Sequence, residues 1–374
     1  MAEAVYVHIP YCSSKCPYCD FASVPAAGSV DRYLEALGEE IRQRAKHVST
    51  VRTLHIGGGT PTVLSAAQIT RLFHSLRSSF HISTGAEITL EANPCTVERE
   101  KIDAFISAGG NRVSLGAQSF IDSELTTLGR LHGSEDIYRA NEIIRGSGIK
   151  NLNFDLIFAI PDQTIQSWRH SLEEAVSLAP EHLSTYCLTV EPGTPFDSLV
   201  EAGTFRRKTA EEELELYQAA REILIRAGYE HYEISNFAKP GRRASHNLVY
   251  WSNGEYLGLG ASAVSYLDGK RVVNVRDPVR YMEAVCRRGH AVEEAEYIPL
   301  RMQAIETMIQ RLRLSERIDC SSFRTKFGVH PVELFGGSFE QMVTEGYIEY
   351  EDDTIRSTFD GWRLANEVAM RLLP

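Results

Sequence analysis

The stretch AVYVHIPYCSSKCPYCDF, residues 4–21, runs from an apolar segment into three cysteines, Cys12, Cys16 and Cys19. Its first half, Ala4–Ile9, is rich in valine and isoleucine and predicts a buried strand. The cysteines therefore begin just past a strand end. Working outward, five further runs predict strands: Arg52–Ile56, Ala86–Leu90, Arg112–Leu115, Asn151–Ile157 and His182–Thr189. Between them the apolar residues recur at helical spacing, over Leu34–Arg44, Ala66–Phe80, Glu98–Ala108, Ser134–Gly146 and Ile165–Leu178. Strand and helix in strict alternation build parallel βαβ units. Six of them predict an α/β fold, a partial (β/α)6 TIM-type barrel. Polar punctuation follows each strand: Gly57-Gly58-Gly59-Thr60-Pro61, then Glu91-Ala92-Asn93-Pro94, then Gln118-Ser119. In a β/α barrel these strand ends form the active face.

Three thiols at spacings of four and three can reach three corners of a four-iron, four-sulfur cubane. One iron then lacks a protein ligand, as catalytic metal sites keep a position open. Structural zinc is the plainer alternative. It wants a fourth protein ligand, and no second C-x2-C pair exists, though His8 or Asp20 could complete a tetrahedron. The other cysteines, Cys95, Cys187, Cys286 and Cys320, are scattered singly, which argues against a disulfide framework.

The cysteine spacing after a first strand, with GGGTP some 40 residues on, resembles the radical S-adenosylmethionine (SAM) superfamily. Within it the chain is similar over nearly its whole length to the oxygen-independent coproporphyrinogen III oxidase family. The resemblance implies a 4Fe-4S cluster on Cys12, Cys16 and Cys19 whose open iron takes the amino and carboxylate groups of SAM. Reductive cleavage in that superfamily yields a 5′-deoxyadenosyl radical. It also implies an electron donor such as flavodoxin or ferredoxin where the cluster is reduced. Carried over position by position, the SAM contacts fall on Tyr6, Tyr18, Gly58, Gly59, Thr60, Glu91, Gln118, Arg130, Asp155, Thr189 and Val264. Taken singly, Glu91, Gln118 and Asp155 could instead cap the helices that follow them.

Two departures point away from decarboxylation. The decarboxylating members carry a fourth cysteine two residues past the third, where this chain has Phe21. Only eleven residues precede Cys12, which leaves no room for the longer N-terminal segment of the oxidase. Both agree with the haem-chaperone branch. So does Ser245-His246-Asn247-Leu248-Val249-Tyr250-Trp251, which resembles that branch's H-N-x-x-Y-W motif. An imidazole such as His246 can ligate iron, and aromatics such as Tyr250 and Trp251 can stack on a porphyrin. Read without the resemblance, the same run is a polar turn with core aromatics. The branch implies haem as cargo and haem-accepting proteins as partners; no catalytic residue is assigned.

The rest of the chain sets bounds. Residues 1–200 read as the barrel core. Residues 201–297 read as an extension covering it, with the helix Glu211–Ala227, the H-N-x-x-Y-W run and a tight Gly-rich strip at Gly258–Ala263. Residues 298–374 read as a small winged-helix-like α+β module. That module carries nine Arg and Lys against twelve Asp and Glu, a net charge of −3, so DNA binding is disfavoured. The whole chain, 39 Lys and Arg against 50 Asp and Glu, carries −11, which disfavours non-specific nucleic-acid binding. No apolar run is long enough for a membrane span and no signal peptide is evident, which predicts a cytoplasmic protein.

Overall fold

Six parallel strands carry the site: β1 (Ala2–Ile9), β2 (Val48–Gly58), β3 (Ile82–Ala92), β4 (Arg112–Gln118), β5 (Leu152–Phe158) and β6 (His182–Cys187). They lie side by side in chain order in the computed structural model, which describes residues 1–26 and 28–374. Each is followed by at least one helix on the outer face, including Val30–Arg44, Ala66–Ser79, Arg99–Ser107, Ser134–Gly146 and Ile165–Ser177. Local chemistry fixes their starts. Ser65 with Gln68 and Thr164 with Ser167 each form a reciprocal N-terminal cap, satisfying backbone N–H groups that the first turn leaves orphaned.

The sheet does not stop at six strands, and it does not close. Beyond β6 it gains β7 (Glu230–Glu233) and β8 (Asn236–Ala238). Beyond β1 it gains β9 (Tyr256–Leu259), β10 (Val264–Leu267), β11 (Lys270–Asn274) and β12 (Val292–Tyr297). The order is β12-β11-β10-β9-β1-β2-β3-β4-β5-β6-β8-β7. Residues 201–297, read from the sequence as an extension covering the barrel, supply all six of these added strands. They lengthen its sheet at both edges, with β9 joining β1 in parallel (Ala4 opposite Tyr256) and the rest antiparallel. Strands of three to six residues separated by turns are too short to show a period. One hydrophobic core runs from Ala2 to Ala291 through strands and helices alike.

The chemistry that holds the Gly258–Ala263 strip lies in that core. The buried Glu40 carboxylate accepts from the Gly260 N–H at 2.8 Å, the Tyr281 hydroxyl at 2.7 Å and the Asn274 amide at 2.8 Å. Burial pushes its pKa up, and those three donors oppose the shift.

A second, smaller core gathers Met308, Phe323, Phe339, Met342, Ile355 and Leu372. It packs the helices Leu300–Arg311, Cys320–Phe327 and Pro331–Thr344 against the hairpin Ile348–Glu351 and Thr354–Ser357. The hairpin turns at Asp352 and Asp353, both at positive φ, a conformation that Asp tolerates better than most residues. Two short helices follow the hairpin, Phe359–Arg363 and Ala365–Leu372.

Candidate functional site

The cysteine loop leaves β1 at Pro10 and returns beside itself. Tyr11 and Cys12 pair with Val24 and Pro25, and the Ala26 N–H donates to the Cys12 carbonyl at 3.0 Å. Its middle is pinned from outside. The Phe196 N–H donates to the Pro17 carbonyl at 3.0 Å, and the Pro17 ring fills the space that a Cβ on Gly129 would need. Fixed in this way, Cys12, Cys16 and Cys19 face one wall of a cavity of about 520 Å³ at the C-terminal ends of the strands.

The Gly-rich turn after β2 forms the floor. At Gly57 a Cβ would lie 2.5 Å from the Glu91 carboxylate. At Gly58 it would lie 2.6 Å from the His8 ring, and at Gly59 2.5 Å from the Tyr11 carbonyl. Gly58 also sits at φ +108, which side chains rarely tolerate. Gly58→Ala is therefore expected to lose at least about 1–3 kcal/mol of stability, read as a lower denaturant midpoint at unchanged slope. A midpoint equal to that of the parent would show that the floor is not tightly packed.

Side chains at the strand ends complete the lining. The Thr60 hydroxyl donates to the Cys12 sulfur at 3.5 Å. Arg130 donates to the Cys16 sulfur and the Tyr18 hydroxyl, each at 3.4 Å, and to the Gly116 carbonyl at 3.3 Å, while its buried Nε has no partner. Glu91 accepts from the Gly58 N–H at 3.2 Å and from His55 Nε2 at 2.7 Å. Asp155 accepts from Ser114 at 3.0 Å and Asn153 at 2.8 Å. Burial, then the nearby Glu91, pushes its pKa up. Gln118 stands at φ +68 where the β4–β5 register slips, a strained position of the kind that collects at working sites.

The helix-cap alternative for these residues does not hold. In the segments that follow, Asn93 and Thr164 cap with their side chains, Glu98 and Ile121 stand at the N-cap positions without a side-chain cap, and none of Glu91, Gln118 and Asp155 occupies such a position.

Zinc fares no better. The three sulfurs do not all lie within 4.8 Å of one another, as three thiolates at about 2.3 Å from one zinc would. His8 spends Nε2–H on the Ala22 carbonyl at 3.0 Å and Nδ1 on the Tyr6 hydroxyl at 3.0 Å. Asp20 pairs with Arg276 at 3.4 Å.

Residues 6–175 match the Radical SAM superfamily and residues 298–364 match the HemN C-terminal domain. The chain is similar to the heme chaperone HemW of Bacillus subtilis, 35% identical, with 98% of each chain covered. The chain belongs to the HemW family. It is likewise 34% identical to the heme chaperone HemW of Escherichia coli, covering 92% of this chain and 91% of that one. Among solved structures it is similar to coproporphyrinogen III oxidase (HemN) from Escherichia coli, described as a radical SAM enzyme. That match has a TM-score of 0.87 at 25% identity, with 99% of this chain and 89% of that chain covered.

For a HemW-family chain the arrangement of the H-N-x-x-Y-W run matters. It is neither strand nor loose turn but a seven-residue helix, Ser245–Trp251. Its first N–H groups, of Ser245 and His246, both donate to the Glu87 carboxylate at 2.9 Å. His246, Asn247 and Tyr250 line the cavity with Tyr6, Tyr18, Arg130 and Thr189, the last of which lies past the end of β6 at Cys187.

His246 is 1% exposed, and both of its ring nitrogens are engaged, Nδ1 with Thr53 at 2.9 Å and Nε2 with Tyr250 at 2.8 Å. Burial, then the neighbouring His55, holds its pKa well below the usual histidine value. To ligate iron, it would have to give up one of those bonds. Trp251 and Val264 lie outside this cavity. The Trp251 ring carries the Arg313 guanidinium at 4.6 Å, against the C-terminal module. Val264 lines a neighbouring groove.

Other lining residues were not foreseen: His55, Arg112, Ser114, Asn153, Ser184 and Tyr186, with the lone cysteines Cys95 and Cys187. The signal was present in the sequence. Arg112, Ser114, Gly116 and Gln118 alternate along β4, as do Asn153 and Asp155 on β5 and Ser184 and Tyr186 on β6. Polar residues at period two inside otherwise apolar strands mark the inward face of a barrel.

Proposed function

We propose that this protein is a haem chaperone of radical SAM type. Cys12, Cys16 and Cys19 hold a 4Fe-4S cluster, and SAM lies against Tyr6, Tyr18, Gly58, Gly59, Thr60, Glu91, Gln118, Arg130, Asp155 and Thr189. The cargo is haem, which passes to acceptor proteins. The observation that carries the cofactor half of this reading is the cavity itself. Three thiols from one short loop converge on it, with Cys95 and Cys187 elsewhere on the same lining, beside an arginine whose buried Nε awaits an acceptor. When bound, such a cluster supplies an open iron to which an amino acid can chelate. The protein's own part is to hold it. Arg130 and Thr60 donate to the sulfurs, while Glu91, steadied by His55 and the Gly58 N–H, presents carboxylate oxygens to hydroxyl groups of a nucleoside.

The chaperone half draws on the relatives named heme chaperone and on Phe21. That side chain is 65% exposed at the cavity mouth, where it supplies no thiol. No helix among the described residues is long and apolar enough to cross a membrane. Haem delivery in the cytoplasm, with flavodoxin or ferredoxin as electron donor where the cluster is reduced, completes the reading. One sample decides it. Anaerobically reconstituted protein should take up haem stoichiometrically and leave coproporphyrinogen III unconverted. Repeated turnover to protoporphyrinogen would make the protein an oxidase instead, and absence of haem uptake would end the chaperone reading.

A further inference from the structure

A second cavity, of about 510 Å³, opens beside the first across a shared wall of Tyr6, Phe21 and Tyr250. The cofactor reading above makes no use of it. Tyr256 on β9 and Tyr266 on β10 also line it, and Tyr256 continues the aromatic wall from Tyr250, edge to face at 4.6 Å. Gln310 of the C-terminal module also lines it and keeps a buried side-chain oxygen with no partner.

Two guanidinium groups stand at this cavity, Arg271 and Arg276. Arg271 is paired with Glu306 at 2.8 Å and Glu296 at 3.5 Å. Arg276 gives Nη2 to Asp20, to the carbonyl at 2.8 Å and the carboxylate at 3.4 Å. Its Nη1 and Nε have no protein partner among the described residues. Aromatic walls select a flat ring system, and guanidinium groups at the rim select carboxylates on its edge. The volume lies within the roughly 300–1,000 Å³ usual for pockets that enclose a small molecule.

We propose that this groove is the seat of haem, with the macrocycle against Tyr6, Tyr250, Tyr256 and Tyr266 and its propionates on Arg276 and Arg271. The proposal rests on the haem-carrier reading and deepens it by placing the cargo outside the cluster cavity. Arg276 can change partners at little cost, because its ion pair with Asp20 is exposed on both sides and such pairs contribute little. Asp20 directly follows Cys19, so a propionate that displaces it would touch the cysteine loop from the other side of the wall. Tyr250, the wall residue, also holds His246 Nε2 at 2.8 Å, which brings the H-N-x-x-Y-W helix to the edge of the same seat.

The test titrates the full-length reconstituted protein with ferric haem and with haem whose propionates are methyl esters. The parent chain should bind haem and bind the diester at least about tenfold more weakly. Arg276→Glu and Arg271→Gln should each weaken haem by a similar factor while leaving affinity for the diester nearly unchanged. The comparison of the two ligands on the parent chain needs no variant to fold. Equal affinity for haem and diester, together with unaltered haem affinity in Arg276→Glu, would overturn the seat and leave the carrier reading standing. No haem uptake by the parent would overturn that reading, and the seat with it.

Discussion

Replacing Cys12, Cys16 and Cys19 together with Ser is expected to abolish the broad visible absorption of the anaerobically reconstituted protein and to remove most of its bound iron. The reason is chemical. A hydroxyl keeps its proton near neutral pH, whereas a cluster is held by thiolates. The fold should survive, because the loop is fixed by contacts that the sulfurs do not make. Those contacts are the pairing of Tyr11 and Cys12 with Val24 and Pro25, the Phe196 N–H on Pro17, and the packing of Gly129 on the Pro17 ring. Circular dichroism and thermal midpoint should therefore stay close to those of the apo parent while iron falls. Cys95 and Cys187 line the same cavity and offer the one route by which iron could persist. Unchanged iron content in the triple variant would move the cluster away from Cys12, Cys16 and Cys19.

The barrel was legible in the sequence because a parallel strand buried on both faces reads as a continuous apolar run, and a helix on its surface reads at period 3.6. β1 to β6 come close to the first condition, broken by inward polar residues on β4 to β6, and the helices that follow them meet the second. The edge strands meet neither. β12, Val-Glu-Glu-Ala-Glu-Tyr, is exposed along most of its length, and β10 and β11 alternate weakly around a tight turn. Their place in the sheet is set by pairing partners far away in sequence, which periodicity does not carry.

The site was half legible for a similar reason. Residues at strand ends, such as Glu91 and Gln118, stand out because they interrupt apolar runs. His55, Arg112 and Ser114 lie inside strands, where a polar residue looks like noise until the sheet curls and gives it an interior. The C-terminal placement of Trp251 was out of reach for another reason. A tryptophan after a motif tyrosine gives no sign that it will carry Arg313 from a different core cluster.

Arg130 offers the sharpest dissection of the proposed cofactor pocket. Its guanidinium ties the end of β4 to the cysteine loop, more than 100 residues earlier in the chain, by donating to the Gly116 carbonyl, the Cys16 sulfur and the Tyr18 hydroxyl. A planar, permanently charged fork with one nitrogen still unpaired is suited to gripping a carboxylate in that space. Arg130→Ala should therefore weaken SAM by the value of a charge-assisted hydrogen bond, about 1.5–3 kcal/mol, or roughly 10- to 150-fold in affinity. Iron content should be retained, because all three cysteines remain. Arg130→Lys should recover only part of the loss, since an ammonium keeps the charge but not the fork. Calorimetric titration of SAM into the reconstituted variants, with iron assayed on the same samples, separates the two roles. If affinity for SAM is unaltered in Arg130→Ala, the residue does not touch the cofactor. If iron is lost along with the affinity, Arg130 serves the cluster loop through Cys16 and its effect on SAM is indirect.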